Sequence, residues 1–537
     1  MPKKRYTRDL ANWVCELQYE DIPDRVIEEC KNQALSVLGA AYAGTRTAAG
    51  AAVLRTVRGL SHGGPCALLP DGEPASLHDA LLANAGLSMA LDYDDYMVSA
   101  HSGHSAALVP LAMAQAMDVD GREFVIAQAV ANEVEARIGT SVLLGPLNGQ
   151  MWSFVHAAGA AVAAGRLLRL DPGQMASALG IALAQPPHPT KPGFMGGGSK
   201  LLTAALPASQ GVIAAHMAAS GLSGPQDILE HPQGFCATFS FTPLLSALTS
   251  ALGKNWLCET LSYKIYPGCA YLDAAMDCLF EILKNNDIAP AEVKRVDAHA
   301  SIMTVKMDES ALPFVRHTLS APETLNFFLP YNLAAGISDG RLSWEQFTPE
   351  RIADESLWKL IRKIHVRHDI KYTKALVDAF TNLVDLRKVA GSLSVGAVRS
   401  MLSHFGLASP FLLVSRGREV GELLKEGRKA LHKFITGEED QGPVEDESLL
   451  ASTANEFQMA FGARVSIRTA AGEFEHEQDV PFGAAGWNLE EKRLCVVQKF
   501  ERESAGVISD EAANATFERI LSLETLDAAG TRLIGSA

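Results

Sequence analysis

The stretch PDRVIEECKNQALSVLGAAYAG, Pro23 to Gly44, decides the fold class. Proline fits the first turn of a helix, where its missing N–H removes no internal hydrogen bond, and glycine commonly stands where a helix stops. A segment bounded in this way reads as one long helix. The same punctuation recurs outward from it. Thr7 is placed to cap TRDLANWVCEL, and glycines close RLLRLDPG and AASGLSG. From Thr7 to about Leu261 the chain reads almost wholly helical, and its abundance of Ala and Gly implies close packing of helix axes.

After Tyr266 the texture changes. EVKRVDAHASI, LWKLIRKIHVRHD and FGARVSIRTAAGEFEHEQDVP show short alternating runs, the last with a glycine-containing turn, so strands join the helices. From about Trp487 the chain is helical again and is expected to return to the first unit. The predicted fold is mainly α: a large all-helical domain formed by residues 1–262 plus 485–537, and a smaller α+β lid over 263–484. The lid carries an unusual insertion at about 372–456, whose acidic stretch EEDQGPVEDES reads as an exposed loop.

The bulk properties narrow the function. A chain of 537 residues exceeds the usual size of one core. Lys+Arg 47 against Asp+Glu 62 gives a net charge of -15, which argues against nucleic acid or an anionic membrane surface as partner. The start MPKKRYTRDLANWV lacks an apolar h-region, and no apolar run is read as approaching a spanning helix; FVHAAGAAVAAG is the nearest. A cytoplasmic protein is expected. Eight cysteines without a CxxC pair suit reduced thiols rather than disulfides or a zinc site.

Three segments carry candidate chemistry. LDYDDYMVSAHSGHS, Leu91 to Ser105, holds three carboxylates and two imidazoles. If the preceding helix runs on to Met97, Asp92, Asp95 and Tyr96 share one face, Asp94 points elsewhere, and His101 and His104 lie on the loop before Pro110. The cluster can be read as a DxDD-type metal or diphosphate site, as a carboxylate-oriented imidazole for general acid/base work, or as an acidic helix end with solvated histidines. GFMGGGSK is not a Walker A loop, because Ser199 separates Gly198 from Lys200; what remains is a glycine-rich loop whose N–H groups, with Lys200, could hold a carboxylate. In SYKIYPGCAYLDAAMD, Lys264 precedes a Pro-Gly turn and Cys269 opens the next helix.

Together these pieces resemble the MmgE/PrpD family, whose members include 2-methylcitrate dehydratase and cis-aconitate decarboxylase. LDYDDYM followed by HSAALVP is similar to the family's D-x-D-D-T and histidine segments. ANEVEARIG and GAAVAAGRLLRLD resemble the helices that follow. SKLLTAALPASQGVIAAHMAASGLSGPQDILE, KIYPGCAYLDAAMD and PYNLAAGISDGRLSWEQFTPERI continue the order.

The resemblance implies a metal-free, cofactor-free, homodimeric lyase or isomerase acting on a small di- or tricarboxylate in a cleft between helical domain and lid. It places catalytic roles on Asp92, His104, Lys200 and Tyr331, and substrate contacts on Lys264, Tyr96, His101, Gln150 and Cys269. In that scheme the lysines supply positive charge, Asp92 orients His104, and Tyr331 donates to a leaving hydroxyl or a carboxylate.

The chain also departs from the pattern. Tyr96 stands at the family's threonine position, and a loop two residues longer makes His101 a rival to His104. The histidine that precedes the alanine-rich helix in the decarboxylases aligns with Gln150, while His156 lies further along and is expected to face elsewhere. Loss of water from a citrate-like acid is the leading expectation. Decarboxylation or epimerisation on the same scaffold, a metal-dependent cyclase and a non-catalytic homologue remain as alternatives.

Overall fold

The computed structural model describes residues 4–145, 152–384, 449–450 and 454–533. Gln150 and most of the 372–456 insertion lie outside the described residues.

Pro23 to Gly44 forms the helix Asp24–Thr45, with Pro23 at its N-cap. Gly44 does not end it by turning left-handed. A Cβ at Gly44 would lie 2.0 Å from the Leu87 carbonyl oxygen, so this glycine lets the helix touch the backbone of the neighbouring helix Leu77–Met89. Near all-round burial marks Gly121–Ser141 and Phe154–Leu167, and Leu202–Ala219 packs one face on Phe154–Leu167 while Leu206, Ile213 and Met217 of its other face are exposed. One expectation is corrected here: the helical stretch Gly198–Ala219 is long and apolar enough to cross a membrane by length and composition. Two-thirds of its most apolar window, 67%, is buried inside the protein, where it serves as a core helix.

The closing helix Leu489–Ser504, capped by Asn488 and Glu491, returns to lie along Asp24–Thr45. Buried Lys492 pairs there with Glu29, and Arg493 pairs with Glu28.

The α+β part is built on a four-stranded sheet. Its strands are β1 (Arg295–Ala300), β2 (Ile364–His368), β3 (Ala463–Arg468) and β4 (Glu473–Gln478), in the order β2-β1-β3-β4. β1 runs parallel to β2 and antiparallel to β3, and β3 and β4 form the hairpin whose turn holds Gly472. Alternation in β1 turns Val296, Ala298 and Ala300 inward, where they share a core with Leu279 and Cys278 of the helix Asp273–Asn285. Only the second half of LWKLIRKIHVRHD is strand. Its first half is the helix Glu355–Ile361, because Asp354 caps the Ser356 N–H and Leu357, Trp358 and Leu360 fall on a buried helical face.

Candidate functional site

The acidic segment does not continue its helix. Leu77–Met89 stops short, Asp92 takes a left-handed φ of 54°, and Asp95–Tyr96 pairs antiparallel with Ser262–Tyr263. This corrects the expectation of one helical face shared by Asp92, Asp95 and Tyr96. The left-handed residue turns the chain out of the helix, and the short pairing then brings Lys264 against the aspartates. Asp92 and Asp94 point together at Lys264, while Asp95 points the other way, to Gln33.

Lys264 Nζ donates to Asp92 Oδ2 at 3.0 Å, to the Asp92 carbonyl at 2.8 Å and to Asp94 Oδ1 at 2.7 Å. Lys200 Nζ donates to Asp92 Oδ1 at 2.6 Å and lies over the rings of Phe327 and Phe194, 4.3 and 5.4 Å from their centroids. It reaches this place from the turn Gly198–Leu201 that opens the helix Leu202–Ala219. All four charged side chains are buried. Burial alone would neutralise them, and mutual pairing is what keeps them ionised. Burial pushes the Asp92 and Asp94 carboxyls up, and the neighbouring cations more than reverse it, so both end below the usual carboxylate range. Lys264 ends above its ordinary value because two carboxylates outweigh its burial, whereas Lys200, with one close partner, ends below.

Both imidazoles of the segment turn to Asp94. His101 Nδ1 lies 2.9 Å and His104 Nε2 3.3 Å from Asp94 Oδ2. The expectation that Asp92 stands beside His104 is therefore corrected: Asp94 is the carboxylate next to the imidazole, and Asp92 is taken up by the lysines. His104 sits on the short helix Gly103–Ala106 rather than on a loop, with Nδ1 2.7 Å from Ser88 Oγ. Ser88 Oγ–H is directed to the Ala85 carbonyl, so the hydroxyl accepts from His104 Nδ1–H and leaves Nε2 facing the site. Burial drives the His104 imidazole down to about 4, against the pull of Asp94.

The remaining candidates divide. Tyr96 is buried, stacked on Phe461 and near the ring of His101, and its hydroxyl has no hydrogen-bond partner among the described residues. The Cys269 thiol is buried among Asp92, Lys264 and Lys200 and pushed up to about 12, chiefly by burial. Tyr331 does not join them. Its hydroxyl donates to the Gln346 carbonyl, and its ring packs near Phe347 and Trp358 in the α+β core. Its hydroxyl is not among the groups that meet at Asp92 and Asp94.

Three residues that the sequence reading passed over belong to the surroundings. Asp94 is the junction of Lys264, His101 and His104. His156, expected to face elsewhere, has its ring centroid 5.5 Å from that of His104. Lys499, on the returning helix, donates to the Tyr93 carbonyl and to Ser36 Oγ at 3.0 Å, directly behind the acidic segment. Burial lowers this ammonium to about 7, although Asp94 and Asp95 oppose the shift. In the sequence it reads as one more solvated charge on an amphipathic helix.

A mainly helical body joined to a small mixed sheet, with two buried lysines ion-paired to the same aspartate beside an imidazole, defines the class. The MmgE/PrpD N-terminal domain matches residues 8–246 and the MmgE/PrpD C-terminal domain residues 266–407, together more than half of the chain. The protein belongs to the MmgE/PrpD family. It is 25% identical over 405 residues to the cis-aconitate decarboxylase-like protein oryM of Aspergillus oryzae, covering 70% of this chain and 82% of that protein. It is 23% identical over 395 residues to the cis-aconitate decarboxylase of Aspergillus terreus, covering 69% and 80%.

Proposed function

We propose that the protein is a lyase acting on a small di- or tricarboxylate, and that it moves a proton at a carbon next to a carboxylate. The observation that carries this reading is the convergence of Lys200 and Lys264 on Asp92 in a buried site, with His104 held beside Asp94. Removing such a proton leaves the C–H electron pair on carbon, delocalised into a carboxylate that then bears extra negative charge. Fixed cations shielded from water stabilise that charge far better than solvent-exposed ones. The proton passes to an imidazole Nε2, and a departing hydroxide that recovers a proton leaves as water.

Loss of water from a citrate-like hydroxy acid is the finer reading. Decarboxylation is the second, favoured by the names of the two fungal relatives; there the bond to a carboxylate breaks, carbon dioxide leaves, and the same imidazole protonates the carbon. A DxDD-type metal site fits less well, because Asp92 and Asp94 already hold the lysines and Asp95 Oδ2 accepts from Gln33 and the Gly103 N–H. In this reading the α+β part acts as a lid, and Phe327, which it contributes, lies over Lys200.

The test is proton NMR of citrate, 2-methylcitrate and cis-aconitate with the protein in deuterated buffer. Elimination, decarboxylation or exchange of a carbon-bound proton supports the reading. No change in any of these acids, or in others of the class, overturns it.

A further inference from the structure

His156 lies one turn into the alanine-rich helix Phe154–Leu167, where an imidazole would ordinarily be a packing residue. Its surroundings are more specific than packing requires. Nδ1 is 2.9 Å from Ser105 Oγ, and Ser105 Oγ–H has two acceptors in reach, Glu135 Oε1 at 2.6 Å and the Ser102 carbonyl at 3.1 Å. A hydroxyl has one proton. With that proton given to either oxygen, Ser105 accepts from His156 Nδ1–H, and the imidazole is held in the tautomer that leaves Nε2 as an acceptor. Glu135 Oε2 lies 3.5 Å from the same Nδ1, where it faces any positive charge the ring takes up.

Space for this carboxylate is built into the helix: a Cβ at Gly159 would lie 1.8 Å from Glu135 Oε1. On its far edge, His156 Nε2 is buried and has no hydrogen-bond partner among the described residues, while His104 Nε2 lies 3.3 Å from Asp94 Oδ2. The two rings meet edge to face, with centroids 5.5 Å apart and planes at 77°. Each is oriented through Nδ1 by a serine, Ser88 for His104 and Ser105 for His156. A buried donor-acceptor atom without a partner is costly and rarely left so by accident. One such atom, on an imidazole packed against His104, marks a place where a proton is exchanged with something that enters the site.

We propose that His156 is a second proton-transfer residue beside His104, its Nε2 kept as an acceptor by Glu135 acting through Ser105. The inference rests on the carboxylate reading above. When Nε2 takes a proton, the ring becomes an imidazolium whose Nδ1–H still points along Ser105 to Glu135, so the new charge is met by a carboxylate already in place. With two bases, one imidazole can accept the proton from carbon while its neighbour handles the proton of the leaving group.

The experiment uses the full chain. Nitrogen-15 histidine spectra of the unmodified protein at neutral pH are expected to show Nε2 of His156 unprotonated, and a spectrum with the proton on Nε2 overturns the proposal. Turnover of the acid on which the wild type is active is then compared in H156Q, S105A and E135Q, each checked for native circular dichroism. We expect kcat to fall about 10²–10⁴-fold in H156Q, the range typical of a lost acid/base group. S105A should fall less, with KM changed little in either. If H156Q does not fold, S105A and E135Q decide, because both leave the imidazole in place and release its tautomer. Wild-type kcat in a folded H156Q, or in both supporting variants, overturns the assignment of His156 alone. No turnover of any acid by the wild type overturns the carboxylate reading instead.

Discussion

Lys200 and Asp92, 108 residues apart in the chain, form a buried ion pair of 2.6 Å. The pair joins the left-handed turn at Asp92 to the turn Gly198–Leu201 that carries Lys200, and it binds the acidic segment to the long core helix that follows. Lys264 closes the arrangement from the start of the α+β part. Two ammonium groups and two carboxylates cancel in charge, and the behaviour of the site follows from that balance.

Breaking the cluster at one member leaves an uncompensated buried charge. K264M strands Asp92 and Asp94 against each other, and the expected loss of stability is about 3–5 kcal/mol. Urea unfolding measures it. A loss below about 1 kcal/mol would mean that the aspartates find other partners or water.

Because the two ammonium groups of the cluster are already matched by Asp92 and Asp94, an incoming polyanion adds net negative charge beside His104. Its charge raises the affinity of His104, now at about 4, for a proton. Binding of tricarballylate, an unreactive tricarboxylate, is therefore expected to take up protons near pH 6. Calorimetry in buffers of different ionisation enthalpy reads the uptake directly. Binding without proton uptake, or with release, contradicts the charge balance described.

Much of this was legible in the chain. Pro23 and the Ala/Gly-rich segments fixed the helical body, and alternation marked β1, β3 and β4. Asp92, His104, Lys200 and Lys264, separated by up to 172 residues, do come together. The partner choices were not legible, because one left-handed residue reverses which aspartates share a face. The Tyr331 hydroxyl's partner was not legible either, because position in a family says nothing of a local acceptor such as the Gln346 carbonyl. His156 was missed because its value depends on Ser105 and Glu135, which the sequence places on other helices.

Stability should depend on pH through two opposed groups. His104, at about 4 in the folded protein and about 6.5 when unfolded, is stabilising in its neutral form; that contribution is full above pH 6.5 and is lost as pH falls towards 4. Asp95 is raised to about 7 by burial and by Asp94, so its contribution has the reverse sign and is lost as pH rises from about 4 to 7. D95N removes the second effect. Its stability is expected to climb more steeply than the wild type's between pH 4 and 6.5, by up to about 3 kcal/mol over the window. Parallel curves for the two proteins would show that Asp95 is ionised throughout.

Y331F should keep full activity. Its hydroxyl donates to a backbone carbonyl in the α+β core, and losing that bond costs about 1 kcal/mol. A small drop in melting temperature with unchanged kcat is the expected result. A hundredfold fall in kcat would restore Tyr331 to the chemistry.

In the proposed chemistry Lys264 and His104 serve one reaction at one carbon. The most direct measurement is the rate at which the protein transfers a carbon-bound proton of its acid to deuterated solvent, compared among wild type, K264M and H104Q under saturating acid. We expect a rate lower by about 10²–10⁴-fold in each folded variant. Exchange at the wild-type rate in folded H104Q or folded K264M would contradict it.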